Sequence, residues 1–183
     1  LEATAVGYHE LDWMVLIVPL ALRRLQLGKD RQALLVAASL LLVKEEMGFV
    51  LAMFGLLVWL RGNRRLGAAA AAIGVVWTAL VISVIVPSVR GVSSASWSYD
   101  SRGKTPTQAV LHLVLHPFSG PHLLVSTPDK MTLWLWLMAV GLGFALRSPI
   151  VLLAVPSLLL RLLSDTETYS MARYHYNAPL MAI

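Results

Sequence analysis

Apolar runs separated by short polar turns organise this chain from residue 13 onward. The first covers 13–25 and is interrupted by Pro19 and by the pair Arg23-Arg24. The second, 33–43, stops at Lys44-Glu45-Glu46, and the third, 47–60, stops at Arg61. The fourth, 66–86, is rich in alanine and closes at Pro87. A polar stretch, 88–104, then leads to an apolar helix with two histidines, 106–116. The fifth run is 131–146 and the sixth is 150–163, with Pro156 inside it. A polar tail, 164–177, leads to a seventh run that begins at Ala178-Pro179-Leu180. Long apolar runs bounded by charges and prolines predict an all-α, polytopic integral membrane bundle.

Turn residues support these boundaries. Thr105-Pro106, Thr127-Pro128-Asp129 and Ser148-Pro149 each place a capping hydroxyl before a proline at the first helical position. Gly28 and Gly62 stand where helices should stop. The alanine run 68–72 reads as small-residue surface for close packing in a bilayer, or as plain helix filler. The chain starts at Leu1 without a signal-cleavage pattern and stops as its seventh run begins. It is therefore expected to be an interior piece of a longer polypeptide: one transmembrane helical domain over 1–183, truncated at both ends, with 88–130 as an external loop carrying an interfacial helix.

Composition agrees. Apolar residues make up 57% and charged residues only 14%, with a mean hydropathy of +0.70; a soluble domain carries about 25% charged residues. The net charge of +5 does not point to nucleic acid, because the basic residues sit at the ends of apolar runs and not along one stripe. With no cysteine, disulfides and thiolate metal sites are excluded.

Charge also gives an orientation. Arg23, Arg24, Lys29 and Arg31 form one basic turn, Arg61, Arg64 and Arg65 a second, and Arg147 marks a third. Placing all three on the cytoplasmic side leaves only Asp30 among the acids there. Every histidine and the other acids then fall outside, together with Lys44, Lys130, Arg161 and Arg173. The second and third runs become a hairpin that enters and leaves from the inside. Each arm of about fifteen residues spans roughly 22 Å as helix, short of a hydrocarbon layer of about 30 Å. The Lys44 turn is therefore expected in the outer half of the membrane, beside a water-filled cavity that opens outward.

That turn is the sharpest chemical signal. An ionisable residue at mid-membrane costs about 2.5–3.5 kcal/mol on insertion scales. Lys44 suits a phosphate as a point charge, and Glu45 and Glu46 suit acid–base work or a divalent cation, the one cofactor indicated. The alternative is an ordinary external turn with snorkelling side chains. His9 and Glu10 precede the first helix on the same face, where they suit a phosphate or metal, or simply acids at a helix start. His112 and His116 share one helical face, but HExxH is absent, and an interfacial helix with wet histidines is the plainer reading. Arg173-Tyr174-His175-Tyr176 suits a phosphate and a sugar ring, although an aromatic belt alone explains the tyrosines.

At several of these positions the chain resembles a family of bacterial polytopic membrane proteins catalogued as a domain of unknown function. The matching features are Lys44-Glu45-Glu46 with Gly48, His116-Pro117, Ser148-Pro149 with Pro156, and Tyr169-Ser170 leading to His175-Tyr176 and Ala178-Pro179. In layout that family is similar to the glycosyltransferase-C superfamily, whose members transfer a sugar from a polyprenyl-phosphate donor outside the cytoplasmic membrane. The resemblance implies a multi-pass enzyme of the bacterial inner membrane, with membrane lipid, the lipid-linked donor and the rest of its own polypeptide as partners. Glu45, Glu46 and His175 would be its catalytic candidates. Lys44, Arg173, Tyr176, His9, Glu10 and His116 would contact substrate. A transporter or flippase, favoured by Pro19 and Pro156 as helix breaks, and a non-catalytic scaffold are the competing expectations.

Overall fold

The structure is a computed structural model that describes residues 13–86, 88, 101, 103, 108, 111, 112, 115, 116, 124–137 and 148–165. The described residues are helical, with no strand among them. Helix α1 is Met14–Gln26 and α2 is Asp30–Ala38, extended by a 3₁₀ segment, Ser39–Leu42. Helix α3 is Met47–Leu60 and α4 is Arg64–Leu80, continued by a π segment, Val81–Ile85. Further on, α5 is Pro128–Leu137, and a 3₁₀ turn, Pro149–Leu153, leads into α6, Ala154–Leu162.

Helix α3 is central. It buries Met47, Val50, Leu51, Phe54, Leu57 and Val58, so its apolar surface is covered on several sides. Helix α4 lies against one side, α2 with its 3₁₀ extension against another, and the 149–153 turn and the start of α6 cover a third. Met14, Val18, Ala21 and Leu25 of α1 close the core from behind α2, and Leu153 joins it from the far segment. A second small cluster joins α5 to α6 through Trp134, Leu158 and Leu162. Beside it, Lys130 Nζ donates to the Ser164 carbonyl at 3.4 Å, a cation on the C-terminal end of α6.

The α3–α4 contact is made backbone to backbone. A Cβ on Gly55 would stand 2.6 Å from Gly67 O and 2.6 Å from Ala71 N. A Cβ on Gly48 would collide with Gly74 O and Thr78 Oγ1. Glycine is thus required at both levels of the seam, as in close-packed membrane helices. Of the alanine run, Ala70 is buried, whereas Ala68, Ala69 and Ala72 are exposed. The small-residue surface is therefore the stripe Gly67, Ala70, Ala71, Gly74 and Thr78, at helical spacing.

Both glycine stops hold. Gly28 has φ +71 and Gly62 has φ +104. In each turn the glycine and the residue after it close back onto the helix, with Lys29 N donating to Arg24 O at 3.0 Å and Asn63 N to Val58 O at 3.3 Å. These are Schellman motifs. Two predicted hydroxyl caps also hold: Ser148 Oγ accepts from Ile150 N at 3.3 Å and Thr127 Oγ1 from Lys130 N at 3.4 Å. The third, at Thr105, lies outside the described residues.

The prolines do not break their helices as the sequence suggested. Pro19 sits inside a continuous α1. Pro156 occupies the first turn of α6, where an N–H has no helical partner to lose. Arg23 and Arg24, read as part of the first basic turn, are the basic residues of the last turn of α1, where a cation faces the negative end of the helix dipole.

Candidate functional site

The turns sort to two ends of the helical unit. At one end the two basic turns meet: Asn63 Nδ2 donates to Asp30 Oδ2 at 3.4 Å. Arg24 Nη1 donates to Gln32 Oε1 at 3.0 Å, and the Arg64 guanidinium lies 5.6 Å above the Trp59 ring. The sequence expectation that these two turns share a side is met.

At the other end, Lys44, Glu45 and Glu46 form the turn between α2's extension and α3. Lys44 Nζ lies 3.4 Å from Glu46 Oε1, and both side chains are partly buried. The Glu45 carbonyl accepts a hydrogen bond of 3.2 Å from Thr78 Oγ1 on α4, and Thr78 is 2% exposed. Arg161 of α6 is only 7% exposed, and the charge of Glu46 reaches it. Glu46 thus acts on this buried guanidinium and also faces Lys44.

The bond to Thr78 fixes the depth of this turn. Thr78 is fourteen residues past Arg64, about 21 Å along the helix. The helix then runs on to Ile85, roughly 10 Å further. The charged turn is thus recessed along α4 and not level with its end. Arg64–Ile85, 22 residues with a mean hydropathy of 2.3 over its most apolar 18-residue window, is the one described helix long and apolar enough to cross a membrane. Ile73, Val76, Leu80 and Val84 on it are exposed, and only 22% of its apolar window is buried. Such a face is at home in hydrocarbon.

One family model, described as "Predicted membrane protein (DUF2079)", matches residues 1–183. The chain belongs to the DUF2079 family. Neither a curated protein nor a solved structure matches it.

In this DUF2079 protein the turn residues Lys44, Glu45 and Glu46 stand together as the sequence predicts. His116 stacks on His112, with ring centroids 4.6 Å apart and 24° between planes. His116 N donates to His112 O at 2.9 Å, so the i, i+4 spacing is helical as read. His116 is exposed, but His112 Nδ1 is buried without a hydrogen-bond partner, so the pair is not wholly wet. Among the described residues no three His, Cys, Asp or Glu side chains gather as a metal site. His9, Glu10, Arg173, His175 and Tyr176 lie outside the described residues.

Three residues were missed. Arg161 and Lys130 were grouped with the water-facing cations, yet both are buried. The signal for Arg161 was present: with Ala154, Ser157 and Leu158 it falls on one face of α6 at i, i+3, i+4 and i+7 spacing. Trp77, next to Thr78, holds its indole N–H buried and without an acceptor among the described residues, and no sequence pattern marks that.

Proposed function

We propose that this DUF2079 chain is part of a multi-pass enzyme of the bacterial cytoplasmic membrane, similar in layout to the glycosyltransferase-C superfamily. It uses a polyprenyl-phosphate-linked sugar at the outer face. The observation that carries this reading is the recessed turn, where Lys44 faces Glu46 and the charge of Glu46 reaches the buried Arg161. Ionisable groups held at that depth, close to apolar helices, are costly unless a charged ligand or water uses them. A polyprenyl phosphate is brought to the membrane by its own isoprenoid chain.

In this reading Lys44 and Arg161 stabilise charge on the leaving phosphate, a task for preorganised cations. Glu46 holds the two cations in place. Glu45 orients the acceptor hydroxyl, and it is also the carboxylate left to a divalent cation, since Glu46 is already shared. Arg173, His175 and Tyr176, with His9, Glu10 and His116, line the path of donor and acceptor.

Full-length protein in vesicles, given a labelled polyprenyl-phosphate sugar, tests the reading. Wild type should deplete the donor, and Lys44→Ala should slow depletion at least tenfold. Arg161→Lys should fall between them, because lysine keeps the charge but loses the planar fork. Equal rates for wild type and Lys44→Ala, or no donor binding by wild type, overturn it.

A further inference from the structure

The basic end of the molecule has no part in that chemistry, yet it is built as a surface. The hydrogen bond between Asn63 and Asp30 brings two turns together that are distant in sequence. They display Arg23, Lys29 and Arg31 from one turn and Arg61, Arg64 and Arg65 from the other, all exposed. Asp30 is the one acid in either turn, and it is occupied by Asn63. Directly beside the cations stand exposed apolar side chains: Leu27 at 59%, Leu60 at 54% and Trp59 at 41%.

We propose that these paired turns bind the headgroup of an anionic phospholipid in the adjoining leaflet. The cations alone would suit any polyanion. The apolar collar decides between them: Leu27, Trp59 and Leu60 stand next to the cations in sequence, and α1 exposes Leu20 and Leu16 further along. A phosphodiester headgroup with acyl chains attached matches both parts, whereas a soluble phosphate or a nucleic acid matches only the first. Arg64 over Trp59 is the same junction in miniature, a cation on an aromatic ring of the interfacial kind. The two Schellman turns hold the backbone under the cations, so the surface is set before lipid arrives.

The experiment is native mass spectrometry of the full-length protein released from micelles containing equal phosphatidylglycerol and phosphatidylcholine. Wild type should retain phosphatidylglycerol preferentially. One basic side chain near a membrane surface contributes roughly 1 kcal/mol, or about fivefold, so the double variant Arg64→Gln with Arg65→Gln should lose on the order of 25-fold in that preference. Asp30→Asn should move it the other way, by about fivefold, which a variant that merely misfolds would not do. The charge-matched double variant Arg102→Gln with Lys104→Gln should leave it unchanged. Equal retention of the two lipids by wild type overturns the proposal. So does an equal loss in the charge-matched variant, or displacement of the lipid by millimolar glycerol phosphate, which would make this a soluble-anion site.

Discussion

Thr78 Oγ1 reaches the carbonyl oxygen of Glu45 at 3.2 Å, joining the long helix to the charged turn. The two residues are 33 apart in sequence, and the bond is shielded on the Thr78 side. It fixes where along α4 the turn sits. It also satisfies a carbonyl that lies beyond the reach of either neighbouring helix.

Thr78→Val keeps the shape of the side chain and removes the donor. The Glu45 carbonyl then loses its partner in a partly buried setting, at a cost of about 1–2 kcal/mol. Thermal unfolding in detergent should show the loss. Thr78→Ser, which keeps the hydroxyl, should recover most of it.

The glycine seam should tolerate nothing larger. Gly74→Ala would place a Cβ 2.8 Å from the Ala52 amide nitrogen, so the helices must separate. Overpacking of this kind costs about 1–3 kcal/mol. Ala72→Leu, on an exposed position of the same helix, should be neutral in the same unfolding assay. Comparable losses from the two changes would show that the seam is not where α3 and α4 meet closely.

Glu46→Gln should destabilise the fold more than Lys44→Gln. The first removes a negative charge that acts on the buried Arg161; the second leaves that charge, on a partly exposed Glu46, in place. Breaking a fully buried pair costs about 3–5 kcal/mol. Glu46 keeps 31% exposure, so about 2 kcal/mol is the expected loss. Arg161→Met together with Glu46→Gln should recover part of it, and a double-mutant cycle measures how much.

Of the two helix stops, Gly62 should be the stricter. Its φ of +104 lies outside the left-handed well that other residues visit near +57, whereas Gly28 at +71 lies close to it. Gly28→Asn should cost under about 1 kcal/mol and Gly62→Asn about twice that, read from unfolding midpoints.

Much of the local structure was legible. The run 47–60 became α3 without revision, because an apolar stretch between charged turns has one economical conformation in such a protein. Gly28, Gly62, Ser148 and Thr127 announced helix ends through chemistry that acts within a few residues. What failed was long-range. Nothing in the order of residues pairs Arg161 with Glu46, and Arg161 looked like one more cation at a helix end. Pro19 and Pro156 looked like breaks because the missing N–H was weighed and the surrounding packing was not.

The glycine seam also works as a ruler. Gly48 faces Gly74 and Gly55 faces Gly67, seven residues apart on each helix. A turn further along α4, Thr78 bonds the Glu45 carbonyl of the charged turn. Sliding α3 by one turn would drive side chains into the backbone of α4 at both levels. The position of the charges is therefore set by the protein's own spacing and not by the thickness of the lipid around it. In a thicker or thinner bilayer, α4 would tilt or the lipid would adjust, while the charged turn kept its distance from the end of that helix.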